Sequence, residues 1–370
     1  MSASEWVVER AVLPDVVKAG ARITARDGKI TGVAEAGPRA SGDVVRGTLL
    51  PGFVDLQVNG AGGRSVDEAT PDALDAVAEA VWRGGAVAFL PTLITAPWAR
   101  LLQQVRDVAA WCRGWSGRGA EPLGLHVEGP FLTAAGAHDP ACLLAPTAAR
   151  VDALLEAAGD QRLLVTLANA ADGAAAATRR LVAGGATVAL GHCESDAGFE
   201  ACVDAGATAV THLFNVMGRM HHREPGLAAR ALDEPRLTCP LIADGVHVDP
   251  VLVRIAFGVL GPTRMALVTD AVSAAGMPDG SYTLSGMTVT AAGGVVRDAN
   301  GNLAGSALTM AAAARRFLEF VPEAGPWTLS RLASANPARL LGADDFGALR
   351  VGGRAAFTLL GDDGSVSAVR

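Results

Sequence analysis

Glu128, His192, His212 and Asp270 are residues whose types could do chemistry together, and each stands at the end of a short apolar run. A carboxylate and two imidazoles from three separate runs make an open three-ligand site for a divalent metal, with one coordination position left for water. Asp270 ends the run Leu267-Val268-Thr269-Asp270. There it would act as general base, taking a proton from water during attack on a carbonyl and returning it to the leaving group. Taken singly, each residue has an ordinary alternative: a hydrogen-bonded core position, or for Asp270 a helix cap. Their joint placement favours a site. So does the clustering of all seven histidines between His126 and His247.

His126 lies two residues before Glu128, on the same strand face by the period of two. A fourth strong ligand would close the site, so His126 is read as a supporting or core residue. Gln57 and Asn59 form an i, i+2 pair where many metal-dependent barrels place two histidines for a second metal. Amides are poor ligands by comparison, which points to one metal per subunit, with the amides orienting a water or the substrate. The donor set accepts several ions; zinc is the expected one, with iron or another divalent ion as alternatives. The segment His221-His222-Arg223-Glu224-Pro225-Gly226 gathers three potential cations, and His247 follows a later run. Arginine suits phosphate bidentately and histidine can add a donor. The alternative is a solvated loop with Arg223 paired to Glu224. Cys193, beside His192, is read as a small buried hydrophobe.

The elements that must position these residues are legible as eight apolar runs: 54–58, 86–90, 123–127, 163–167, 187–190, 209–213, 240–242 and 265–268. Stretches with helical spacing separate them, at 73–83, 97–111, 149–158, 174–183, 198–204, 251–259 and 308–320. Several end in glycine just before the next run (Gly84-Gly85, Gly184-Gly185, Gly206), as a left-handed cap requires. Strands alternating with helices and buried on both faces imply a parallel sheet, and eight repeats favour a closed barrel with its chemistry at the C-terminal strand ends. The ends read differently. Segments 16–33 and 355–369 alternate in polarity around Asp27-Gly28 and Asp363-Gly364, as hairpins do. The expected fold is α/β, a (β/α)8 TIM-type barrel over 51–343 with a small β-sandwich built from 1–50 and 344–370. An inserted hairpin pair is expected over 281–303.

The 370 residues carry a formal charge of −7 and no basic patch, which argues against a nucleic-acid partner. No apolar run reaches the roughly 20 residues that span a bilayer, and no signal peptide is visible, so a cytoplasmic location is expected. Five cysteines without a C-x-x-C pair argue against a disulfide framework and a zinc knuckle.

At these residues the sequence resembles the N-acetylglucosamine-6-phosphate deacetylases of the amidohydrolase superfamily. The likeness runs through Pro51-Gly52-Phe53-Val54-Asp55-Leu56-Gln57-Val58-Asn59-Gly60, Gly124-Leu125-His126-Val127-Glu128-Gly129-Pro130-Phe131, Gly191-His192-Cys193 and Thr211-His212-Leu213-Phe214-Asn215. It continues in His221 to Leu227, Ala243-Asp244-Gly245-Val246-His247, Leu267 to Ala271, Leu303 to Met310 and Asn336-Pro337-Ala338. The resemblance implies Glu128, His192 and His212 as ligands and Asp270 as the proton-transferring group. It further implies that His138 polarises the acetyl carbonyl and that Ala137, His138, Asn215, Val216, Leu303, Ala304 and Gly305 contact the substrate. Arg223 and His247 match the phosphate-binding pair, one or both contributed across a homodimer interface. The sequence departs from the family in a Phe131–Gly136 stretch about two residues short, in Val216 where alanine is common, and in Ala356 where aspartate is frequent. The implied reaction is hydrolysis of N-acetylglucosamine 6-phosphate to glucosamine 6-phosphate and acetate, in amino-sugar catabolism or cell-wall recycling. The alternatives are the galacto epimer, another amidohydrolase acting on a small amide, and a catalytically silent binding module.

Overall fold

The computed structural model describes residues 3–36 and 44–370. Residues 1–2 and 37–43 of the expected small domain lie outside the described residues. The first four strands are β1 (Ala3–Val12), β2 (Val17–Arg26), β3 (Lys29–Glu35) and β4 (Val44–Pro51). Then β5 (Phe53–Val58), β6 (Ala86–Ile94), β7 (Leu125–Glu128), β8 (Leu163–Leu167), β9 (Thr187–Leu190), β10 (Ala209–Val210), β11 (Cys239–Leu241) and β12 (Met265–Leu267) match the eight apolar runs. After them come α1 (Pro71–Arg83), α2 (Trp98–Arg113), α3 (Ala148–Ala158), α4 (Ala174–Ala183), α5 (Phe199–Asp204), α6 (Gly226–Asp233), α7 (Pro250–Arg264) and α8 (Met310–Phe320), one following each strand.

Every residue of β5, β6, β7 and β8 is buried, because helices cover one face and the barrel interior the other. Parallel pairing runs from β5 through β6, β7, β8 and β9 to β10. A parallel bridge between Ala209 and Thr238 carries the ring to β11, β11 pairs with β12, and a bridge between Val58 and Ala271 closes it. Every second residue turns to one interior cluster (Val54 and Leu56, Ala88 and Leu90, Leu164, Ala189, Ala209, Val268), as the period of two requires. The threonine side chains of Thr70, Thr147 and Thr309 cap α1, α3 and α8.

The two ends meet in one small domain. Its last strands are β16 (Phe357–Leu360) and β17 (Val366–Val369), numbered after the inserted strands below, and its order is β17-β16-β4-β1-β2-β3. All six belong to a single hydrogen-bonded sheet, because β4 takes β1 on one side and β16 on the other. Val8, Ile23, Leu49 and Phe357 form its core, with Trp6 edge-on to Phe357 at 5.0 Å. The insertion holds three antiparallel strands, β13 (Gly280–Leu284), β14 (Met287–Ala292) and β15 (Val295–Arg297). Its apolar side, Leu284, Val289 and Val296, packs on Ile94, Val272 and Ala304. That packing fixes the hairpins beside the C-terminal ends of β6 and β12. Among the described residues no helix is long and apolar enough to cross a membrane.

Candidate active site

The strand ends converge. Glu128 closes β7, His192 stands two residues beyond β9, His212 two beyond β10 and Asp270 three beyond β12. His192, His212 and Asp270 have positive φ (50°, 29° and 51°), a conformation that costs free energy in non-glycine residues and recurs where side chains are forced toward a reaction centre. His212 Nε2 lies 2.9 Å and His192 Nε2 3.1 Å from the same oxygen, Glu128 Oε1, and the two nitrogens are 3.2 Å apart. Glu128, His138 and His192 form an overlapping group whose ligand atoms lie within 4.8 Å of one another.

Hydrogen bonding separates the roles of the three imidazoles. His192 Nδ1 is 3.0 Å from the Ala134 carbonyl, an acceptor only, so it carries the proton and Nε2 presents a lone pair. That lone pair points at a carboxylate oxygen and at a second imidazole nitrogen, an arrangement that is repulsive unless a cation or proton sits among them. His138 is the reverse case. Its Nδ1 accepts the Thr95 N–H at 3.4 Å, leaving Nε2 as the N–H, 3.6 Å from Glu128 Oε2. His138 is therefore set to donate a hydrogen bond, and the donor chemistry that fits a divalent cation belongs to Glu128, His192 and His212. Among the described residues His212 Nδ1 has no hydrogen-bond partner.

The electrostatics follow from burial. Burial alone would raise the Glu128 carboxyl, but hydrogen bonds from His138, His192 and His212 outweigh it and hold it well below the usual range. Burial would lower His212, and Glu128 reverses this to a net rise. Burial and the neighbouring His192 lower His138. Burial, then the charge of Glu128, push Asp270 up to about 6. Asn59 Nδ2 and Gln57 Nε2 both donate to Asp270 Oδ1, at 2.7 and 3.0 Å. The amide pair thus grips one carboxylate oxygen and leaves Oδ2 for a substrate or water.

One pocket joins these groups: Asn59, Glu128, His138, His192, His212, His247 and Asp270 line it, with Ile94, Gly136, Ala137, Asn215, Val216, Leu284, Leu303 and Gly305. Of the remaining sequence candidates, Gln57 reaches the site through Asp270, and Ala304 is buried in the packing beneath the hairpins. His126 is buried away from the pocket, 2.8 Å from the Thr166 hydroxyl, and burial lowers it to about 4, which keeps it neutral. Arg223, with His221 and His222, lies on an exposed loop outside the pocket lining. The Phe131–Gly136 stretch reaches the centre, since Thr133 and Ala134 both donate to the His192 carbonyl. Ile94 and Leu284 were not foreseen, because they become neighbours only when the insertion folds against β6. Asp55 was also missed as a working part: it accepts the Thr269 hydroxyl at 2.6 Å and the Thr269 N–H at 3.2 Å, directly behind Asp270.

A barrel closed by eight parallel strands, with a carboxylate and imidazoles at its strand ends, defines a hydrolase of the amidohydrolase type. The chain belongs to the Amidohydrolase family, which it matches over residues 48–369. It is 39% identical to N-acetylgalactosamine-6-phosphate deacetylase of Escherichia coli O157:H7, over 84% of this chain and 83% of that protein. It is 36% identical to N-acetylglucosamine-6-phosphate deacetylase of Vibrio furnissii, over 86% of this chain and 80% of that one. The N-acetyl-D-glucosamine-6-phosphate deacetylase of Mycobacterium smegmatis, solved as a variant in complex with N-acetyl-D-glucosamine-6-phosphate, superposes with a TM-score of 0.93 at 32% identity. The match covers all of this chain and 98% of that one.

Proposed function

We propose that this chain hydrolyses N-acetyl-D-glucosamine 6-phosphate to D-glucosamine 6-phosphate and acetate, using one divalent ion per subunit, zinc being the expected one. The observation that carries this reading is the convergence of Glu128, His192 and His212 opposite Asp270, in a chain over four-fifths of which the named deacetylases align. The ion, when bound, supplies Lewis acidity that makes water nucleophilic at neutral pH. Asp270 Oδ2 takes the proton from the attacking water and delivers it to the departing amine. His138 donates its Nε2–H to the acetyl oxygen as negative charge develops there. Asn59 and Gln57 hold Asp270 in place through Oδ1. Ala137, Asn215, Val216 and the Leu303–Gly305 turn wall in the sugar, and His247 meets the phosphate.

We further propose a homodimer in which Arg223 reaches the phosphate of the neighbouring subunit. Two features support it: Arg223 is exposed and outside the lining of its own pocket, and Val251, Ile255 and Val259 form an exposed apolar stripe on α7. Residues 51–343 are assigned to the catalytic barrel and 1–50 with 344–370 to the small domain. Five unpaired cysteines support a reducing, cytoplasmic setting, and amino-sugar catabolism or cell-wall recycling is the process served. The test is acetate release from N-acetylglucosamine 6-phosphate before and after chelation; no release, or release untouched by metal removal, would refute the assignment. The 39% identity to the galactosamine enzyme favours a second reading, the galacto epimer. Parallel kcat/KM measurements on the two phosphates decide between them.

A further inference from the structure

We infer that Asp244, which is absent from the lining of the pocket, is a positioning residue that holds His247 in the orientation from which it meets the substrate's phosphate; this rests on the phosphate role proposed above for His247. Asp244 follows β11 and is buried, its side chain 8% and that of His247 7% exposed. Its Oδ1 accepts the backbone N–H groups of Val246 and His247, both at 2.8 Å, and its Oδ2 lies 2.7 Å from His247 Nδ1. A carboxylate accepts only, so Nδ1 carries the proton and Nε2 is the nitrogen left for the pocket that His247 lines. Two further contacts hold the loop in this geometry. Arg316 on α8 donates to the Asp244 carbonyl at 2.7 Å, and Gly245 takes a φ of +75° against Phe320.

Burial alone would raise the Asp244 carboxyl, yet the bonds from His247 and from the two backbone N–H groups keep it below the usual range. Among the described residues no lysine or arginine lines the pocket. Within one subunit the phosphate is left to the lining histidines, and Asp244 fixes the position of His247 without touching the substrate.

The test is a double-mutant cycle on the metal-loaded enzyme, with Asp244→Asn, His247→Gln and the double variant assayed on N-acetylglucosamine with and without the 6-phosphate. Asp244→Asn keeps an acceptor for the two backbone N–H groups but removes the charge. It is expected to raise KM for the phosphorylated sugar about tenfold with kcat changed less than about threefold. The inhibition constant of inorganic phosphate should rise in parallel, and the unphosphorylated sugar should be affected little. The double variant should cost no more than His247→Gln alone, because Asp244 acts only through His247. Additive losses, or an equal loss on the unphosphorylated sugar, would overturn the inference while leaving the phosphate role standing. A native enzyme that treats both sugars alike would overturn that role and the inference with it. If Asp244→Asn lowers the melting temperature, Asp244→Glu, which keeps the charge, must restore KM.

Discussion

Asp270 and Asp55 show how two buried carboxylates on one side of a barrel take different tasks from their partners. Asp270 has one oxygen held by two amides and the other free, and it faces the pocket. Asp270→Asn should lower kcat by roughly 10²–10⁴-fold, the usual contribution of a general base, while metal analysis of the purified variant shows an unchanged content. Glu128→Gln should do the opposite at the metal: the ion is lost, and activity with it. Asp55 has both oxygens turned to Thr269 and the Gln57 N–H, and burial pushes it up to about 7 despite those bonds. The folded protein then binds a proton that the unfolded chain has already released between about pH 4 and 7. Its contribution to stability is therefore full at low pH and falls as pH rises through that window. Asp55→Asn should flatten this dependence and gain stability at pH 8 by no more than about 4 kcal/mol, read from urea unfolding at pH 5 and pH 8.

The loop between β7 and α3 is tied to the His192 backbone and ring by hydrogen bonds. Gly136 is the tight point. It has a φ of +58°, and a Cβ there would come within 3.0 Å of Val216 and 3.2 Å of the His192 ring. Gly136→Val should therefore displace His192 as well as strain the loop. The expected result is at least a tenfold loss of kcat/KM together with weaker metal retention in a competition assay against a chelator. The inserted β13–β15 unit contributes Leu284 to the pocket wall and packs on Ile94 from β6. The pocket wall is thus built by two elements far apart in the chain, and only the packed sheet brings them together.

At the scale of the molecule, the barrel closes through single bridges at two of its seams, so its ring is less continuous than its sequence of strands. A metal held by Glu128, His192 and His212 would tie together residues at the ends of β7, β9 and β10, three of the four consecutive staves β7 to β10, and should stabilise the whole domain. Chelation is expected to lower the melting temperature by an amount that grows with the metal concentration used as reference, since stabilisation follows RT ln(1 + [L]/Kd). Ile255→Glu on the α7 stripe should convert the proposed dimer to a monomer in sedimentation experiments. If Arg223 serves the neighbouring subunit, KM for the phosphorylated sugar rises in the same variant.

What the sequence determined by itself was the order and period of the elements and the identity of the groups at the strand ends. Apolar runs of four or five residues punctuated by glycine admit few folds, and Glu128, His192, His212 and Asp270 were legible because polar residues end otherwise apolar strands. Composition and local spacing could not say which imidazole nitrogen carries a proton, because that depends on Ala134 and Thr95, carbonyl and amide partners remote in sequence. Nor could they place Arg223 outside its own pocket, join both chain ends in one sheet, or set Asp55 behind Asp270. These follow from the closing of the ring, which brings distant backbone groups within hydrogen-bond reach and only then fixes protonation, orientation and charge.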